Sequence, residues 1–205
     1  MQTSRMTYDG LVLDESRTVA KPGEETARVL YEAARAKGAS HFAEELDGIV
    51  MRMRFVSEIT KDAMSETVVD DVLREACETS SSFEDLRNSA LADLLRAKLG
   101  ALAAKIDRFA PSRVTLAKGR SVKVHYEAGK TPHIASRMQD FFGMKDTPKI
   151  GEGRVPLVLH LLAPNQRAVQ VTQDLAGFWT RHYPTIRKEL MRRYPRHAWP
   201  EDPLA

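Results

Sequence analysis

The hydrophobic period of this chain changes at one place. From Val29 to Phe109 apolar residues recur at i, i+3 and i+4; beyond Pro111 they alternate with polar ones, beginning at Val114 and Leu116. Side chains repeat every 3.6 residues around a helix and every two along a strand, so neither pattern suits the other element. The expected fold is therefore α+β. A helical subdomain spans 24–110, and a small antiparallel sheet with packed helices spans 111–205, with the seam near Pro111.

Within the first part, Glu24 to Ala36 reads as a helix stopped by Gly38. Ser40 is a candidate N-cap for a helix burying Phe42, Leu46, Ile49, Val50 and Met53. Ser65 is another, ahead of Val68, Val69, Val72, Leu73 and Ala76. Ser81-Ser82-Phe83-Glu84 resembles a capping box in which Ser81 bonds ahead and Glu84 reaches back. One long stripe runs from Leu91 through Leu94, Leu95, Leu99, Leu102 and Ile106 to Phe109. These stripes are read as core rather than as a cofactor site. Before them, Asp9 to Leu13 is a short strand with no visible partner, followed by a linker to Gly23. A lone strand cannot satisfy its own backbone groups.

In the second part, Val114–Leu116 and Val122–Tyr126 flank Lys118-Gly119-Arg120, a hairpin signal. Thr131-Pro132 predicts a helix that buries Ile134, Met138, Phe141 and Phe142 and ends at Gly143. Val155–Leu162 and Ala168–Val171 read as strands turned by Pro164-Asn165-Gln166. Thr172 or Gln173 opens a helix through Trp179, and Pro184 opens the last, which stops at Pro195.

The net charge of +3 conceals an asymmetry. Residues 1–110 hold 15 Lys+Arg against 20 Asp+Glu, and residues 111–205 hold 16 against 8. Five of the six histidines also lie in the second part. Either the basic part meets an anionic partner, or the two parts complement each other. The single cysteine, Cys77, cannot form an internal disulfide, and Met1 to Gly10 lacks the apolar core of a signal peptide. The longest apolar run, Val155 to Ala163, falls short of the roughly 20 residues that span a bilayer. These features suit a cytoplasmic chain with no membrane partner.

Catalytic and cofactor signals are weak. Gly129-Lys130-Thr131 copies the end of a phosphate-binding loop, but the glycine required at position 124 is Val124. Leu11-Val12-Leu13-Asp14-Glu15 mimics the acidic strand of an ATPase without a phosphate loop upstream. His125 and His133 lie eight residues apart across a turn, His160 sits in an apolar strand, and no Cys/His spacing suits zinc. Asp174 begins a helix, where a carboxylate suits the dipole. No catalytic residue, metal site or cofactor is expected.

The segment from Phe178 to Trp199 is the informative one. It carries Arg181, Arg187, Lys188, Arg192, Arg193 and Arg196 against Glu189 alone. On the last helix Ile186, Leu190 and Tyr194 share one stripe, and Arg187, Lys188, Arg192 and Arg193 lie off it. Guanidinium forks match phosphate oxygens and aromatic faces can stack on bases, which makes the six cations candidates for RNA binding. An ordinary solvated face, its aromatics pinning the tail to the core, is the competing reading. Trp179 and Trp199 are expected to be buried.

Several strings in the second part resemble one family. They are Leu161-Leu162-Ala163-Pro164, the run Gln170-Val171-Thr172-Gln173-Asp174-Leu175-Ala176-Gly177-Phe178-Trp179, then Tyr183, Leu190, Arg193-Tyr194-Pro195, His197 and Trp199-Pro200-Glu201-Asp202-Pro203. Tyr126-Glu127-Ala128-Gly129, Met138-Gln139-Asp140-Phe141-Phe142-Gly143, Thr147-Pro148 and Gly153-Arg154-Val155-Pro156-Leu157 fit the same pattern. Together they resemble the C-terminal end of the HrpB family of bacterial DEAH-type ATP-dependent RNA helicases, densely over 111–205 and thinly before it. Arg192 departs from the family, which often has glycine there.

The resemblance implies an accessory module of a helicase, one that contacts RNA or docks on the motor domains. It also implies that the strand at residues 9–13 trails a preceding β domain. The family's phosphate loop and DEAH box are not in this sequence, so ATP hydrolysis is not carried over to it. The alternative is a protein-interaction module whose basic C-terminal face binds an acidic partner.

Overall fold

The structure is a computed structural model and describes residues 2–18 and 20–205. It divides into two units, Met1–Val50 with Ala63–Ala103, and Met51–Asp62 with Ala104–Ala205. Two of the three divisions, after Val50 and after Ala103, fall inside helices, and the third, after Asp62, falls in a loop. The second unit thus takes in residues 51–62, whose helical period had grouped them with the first part.

The first unit opens with a hairpin, β1 (Gln2–Tyr8) and β2 (Leu11–Thr18), paired antiparallel through a two-residue turn. The strand at residues 9–13 is therefore not single. Its partner, rich in polar residues, carries no clear apolar alternation. Asp9 and Gly10 form the turn, with φ of 49° and 80°, the left-handed pair that matches the twist of two strands. The apolar residues of this hairpin, among them Met6, Tyr8, Leu11 and Leu13, are exposed.

Helices α1 (Glu24–Lys37), α2 (Glu45–Thr60), α3 (Thr67–Glu78), α4 (Phe83–Asn88), α5 (Leu91–Leu99) and α6 (Ala101–Phe109) follow. α1 and α5 both pack on α3, burying Leu30, Ala34, Val72, Leu73, Ala76, Cys77, Leu91 and Leu95. Three expectations shift here. Ser40 lies in a 3-10 turn over Ala39–His41, and the helix expected from it starts at Glu45. The capping box lies one residue on from the expected one: Ser82 accepts from the Asp85 amide, and Asp85 reaches back to the Ser81 amide and hydroxyl. The stripe from Leu91 to Phe109 breaks at Gly100, whose φ of 51° and ψ of −123° no helix accommodates.

The second unit takes α2 from Met51 and α6 from Ala104. Arg52, 5% exposed, donates from Nε to the Ala110 carbonyl at 2.5 Å and ion-pairs with Asp107. Phe55 stacks obliquely on Tyr126, whose hydroxyl donates to the Pro111 carbonyl at 2.8 Å.

The sheet has strands β3 (Arg113–Thr115), β4 (Ser121–His125), β5 (His133–Arg137), β8 (Val158–Leu162) and β9 (Ala168–Thr172) in that order. A two-residue pair, β6 (Lys149–Ile150) and β7 (Val155–Pro156), stands apart. All pairings in the main sheet are antiparallel except β5 with β8, which run parallel. The helix expected after Thr131-Pro132 is instead β5 and a 3-10 turn, Met138–Phe141. Ile134 and Ser136 are buried between more open neighbours; pairing on both edges outweighs the local helix signal. Helices α7 (Leu175–Arg181) and α8 (Tyr183–Arg193) close the chain. Asp174, not Thr172 or Gln173, caps α7, accepting from the Gly177 amide at 2.8 Å.

Candidate nucleic-acid interface

Pro184 sits in the first turn of α8, where its missing N–H leaves no helical bond unmade. Tyr183 and Leu190 bury the inner edge of the helix. Phe142, Phe178, Trp179 and Tyr183 form one aromatic cluster, with centroids 5.0–6.4 Å apart. Their polar tips are used internally. Trp179 Nε1 donates to the Met144 carbonyl at 2.8 Å, and the Tyr183 hydroxyl to the Pro200 carbonyl at 2.8 Å. Trp199 Nε1 donates to the Tyr194 carbonyl at 3.0 Å. Both tryptophans are buried, as the sequence led one to expect, so they anchor the tail and offer no face to a base.

That anchoring sorts the six candidate cations. Arg181 bonds to Asp174 at 2.6 Å, across Gly177. The Gly177 amide and this guanidinium together hold the Asp174 carboxyl below its ordinary range. Arg187 is 19% exposed, donates to the Trp199 carbonyl at 2.8 Å and faces Glu201 at 3.5 Å. Arg187 is thus tied into the fold, while Arg181 is an exposed cation that already has an acidic partner. Lys188, Arg192, Arg193 and Arg196 are exposed and have no ion-pair partner among the described residues. The Arg193 guanidinium lies 5.6 Å from the centre of the Tyr194 ring.

The two nucleotide-binding look-alikes have other tasks. Lys130 bonds to Glu127 at 2.6 Å within the turn after β4. Leu11–Glu15 is a hairpin strand, with Glu15 accepting from Arg5 at 2.7 Å. A groove of about 650 Å³ in the first unit, lined by Tyr31, Arg35, Arg74 and Glu78, is open. Among the described residues no group of three metal-binding side chains converges, and no helix is long and apolar enough to cross a membrane.

The sheet brings together residues that sequence spacing kept apart. His125 pairs with His133 across β4 and β5, and His160 lies on the neighbouring β8. Their rings stack, His125 on His133 at 4.8 Å and 12°, His133 on His160 at 4.6 Å and 16°. Burial chiefly, with Lys123 adding for His125 and the neighbouring imidazoles for His133, holds both rings below the ordinary histidine pKa. The signal in the sequence was their placement at outward positions of alternating strands. It became legible only once β5 was known to be a strand.

The family model of the HrpB-type ATP-dependent helicase C-terminal region matches residues 72–203. The ATP-dependent RNA helicase HrpB of Escherichia coli is 34% identical over 197 residues, which are 90% of this chain and 24% of that protein. Two solved structures share the fold. The crystal structure of the E. coli DExH-box NTPase HrpB has a TM-score of 0.74 and 29% identity, over 98% of this chain and 26% of that one. The crystal structure of the E. coli DEAH/RHA helicase HrpB has a TM-score of 0.66 and 28% identity, over 96% and 26%. The chain thus spans about a quarter of the length of these relatives. It belongs to the HrpB family of ATP-dependent helicases, as the C-terminal region of that family.

Proposed function

We propose that this chain is an accessory module of an HrpB-like RNA helicase and contacts single-stranded RNA through its C-terminal helix, in the cytoplasm. The observation that carries this reading is the set of four exposed cations without acidic partners, Lys188, Arg192, Arg193 and Arg196, on and just beyond α8. An unpaired cation cluster on a helix pinned from behind is a preorganised contact for phosphates and carries no sequence preference. Arg181 and Arg187 already have partners and leave that set.

Reversing all four free cations to Glu weakens binding of a labelled oligouridylate at least tenfold at low salt, measured by fluorescence anisotropy. Unchanged affinity in a folded variant removes α8 from the RNA contact.

A protein contact is the second reading, because the β1–β2 hairpin exposes Met6, Tyr8, Leu11 and Leu13. Large apolar side chains exposed together on one short hairpin favour a covering neighbour. On that reading the cations meet an acidic surface of a motor domain. Charge reversal then weakens capture of a helicase motor fragment and leaves RNA affinity untouched.

A further inference from the structure

The outward face of the five-stranded sheet is unusual in its charge. On β3 it presents Arg113 and on β4 Lys123, which are direct cross-strand partners. Like charges in that relation repel and lower sheet stability. Arg137 on β5 is exposed on the same face, two positions beyond Ala135, the partner of His160. The outward positions of the five strands hold no aspartate or glutamate. Arg113 is steered by Ser121, donating to its hydroxyl and carbonyl at 2.8 Å each. Lys123 and Arg137 have no acidic partner among the described residues.

Beside these cations, further along β4 and β5 and across to β8, run the three stacked imidazoles. The ring nitrogens of His125, His133 and His160 make no hydrogen bond among the described residues; the nearest acid is Glu127, 3.8 Å from His133 Nδ1 and already bonded to Lys130. Parallel rings do not converge on a common point, so the stack does not form a metal cage. It offers instead a row of ring edges with N–H donors, bordered on one side by cations. That combination fits the backbone of an extended polyanion, since phosphate oxygens take the charges and accept from N–H donors whatever the sequence.

We propose that the open sheet face, with Arg113, Lys123, Arg137, His125, His133 and His160, is a second binding surface for single-stranded nucleic acid, separate from α8. It rests on the reading of the chain as an RNA-contacting module and adds where a strand lies and how pH acts on it. At neutral pH the arginines and the lysine hold the strand. As pH falls, bound phosphates favour protonation of His125 and His133 and affinity rises. The charged groups that act on the stack are Lys123 on its own strand and Glu127 and Lys130 in the following turn; Arg113, turned to Ser121, and Arg137 lie further along the face, and β9 contributes the uncharged Val171 opposite His160.

The test is anisotropy of a fluorescein-labelled twelve-nucleotide oligouridylate against the full 205-residue chain, at 50 mM salt, between pH 7.5 and 5.5. The parent chain is compared with Lys123→Glu/Arg137→Glu, with the milder Lys123→Ala/Arg137→Ala, and with the α8 charge reversal. Both substituted positions are exposed, and circular dichroism checks that the fold is kept. The sheet reversal is expected to weaken binding about tenfold at pH 7.5, and the alanine pair about threefold. The α8 reversal retains residual binding that strengthens at pH 5.5. Adding oligouridylate moves the NMR titration midpoint of His133 upward, which a purely structural imidazole stack does not show. If both sheet variants bind within twofold of the parent and the His133 midpoint stays fixed, the sheet site is wrong while the α8 contact stands. If the parent itself does not bind, both readings fail.

Discussion

Arg52 shows how one side chain ties a helix to a loop. It is buried, so its charge needs partners, and it has two: the Ala110 carbonyl and the Asp107 carboxylate. Asp107 is 59% exposed, and solvent screens part of the pair. Asp107→Ala is therefore expected to cost about 1–2 kcal/mol, less than breaking a fully buried pair, read as a lower urea midpoint with an unchanged slope. The histidine stack makes a second prediction at this scale. His125 and His133 have pKa values depressed below 6.5 by burial and cationic neighbours. In the unfolded chain they protonate first. Their contribution to stability is complete above pH 6.5 and is lost as pH falls through the lower folded values. The chain loses melting temperature between pH 7 and 5, and His125→Gln/His133→Gln flattens that loss.

At the scale of elements, glycine decides where one long apolar stripe becomes two helices. Gly100 holds a left-handed φ between α5 and α6, and its amide closes α5 on Arg96 and Ala97. Gly100→Ala keeps the stripe apolar yet strains the backbone, at a cost of about 1 kcal/mol or more, measured by thermal unfolding. The helical half was legible because its stripes outlast any single misplaced cap: α1 runs one residue past its expected end. Three kinds of position depart from the expectation. The cap expected at Ser81 sits on the next serine, Ser82. A segment whose state depends on distant partners is not legible by itself, as with β5, a strand only because β4 and β8 lie on either side. The hairpin at the start departs for a third reason. Asp9-Gly10 carried the turn signal, but β1 is too polar to announce itself. In the candidate interface, the six cations of the C-terminal segment were visible as a charge run. That Arg181 and Arg187 are already partnered depends on Asp174 and on the carbonyl of Trp199, which spacing alone does not bring into contact.

At the scale of the whole molecule, residues 111–205 carry the excess of cations. Two of the surfaces that hold part of it are the end of α8 with Arg196 and the acid-free face of the sheet, and the proposed function rests on these. The chain belongs to the C-terminal region of the HrpB family, and charge of this kind is suited to holding the backbone of a strand rather than reading its bases. Binding by such surfaces is electrostatic and releases counterions. The decisive measurement is the affinity of the full chain for single-stranded oligouridylate as a function of salt, plotted as log K against log salt. Each phosphate neutralised on a single strand contributes a slope of about −0.7, so the four free α8 cations alone predict a slope of about −3. Charge reversal at Lys188, Arg192, Arg193 and Arg196 should flatten it. No detectable binding at low ionic strength, or a slope near zero that the reversal leaves unchanged, contradicts the account.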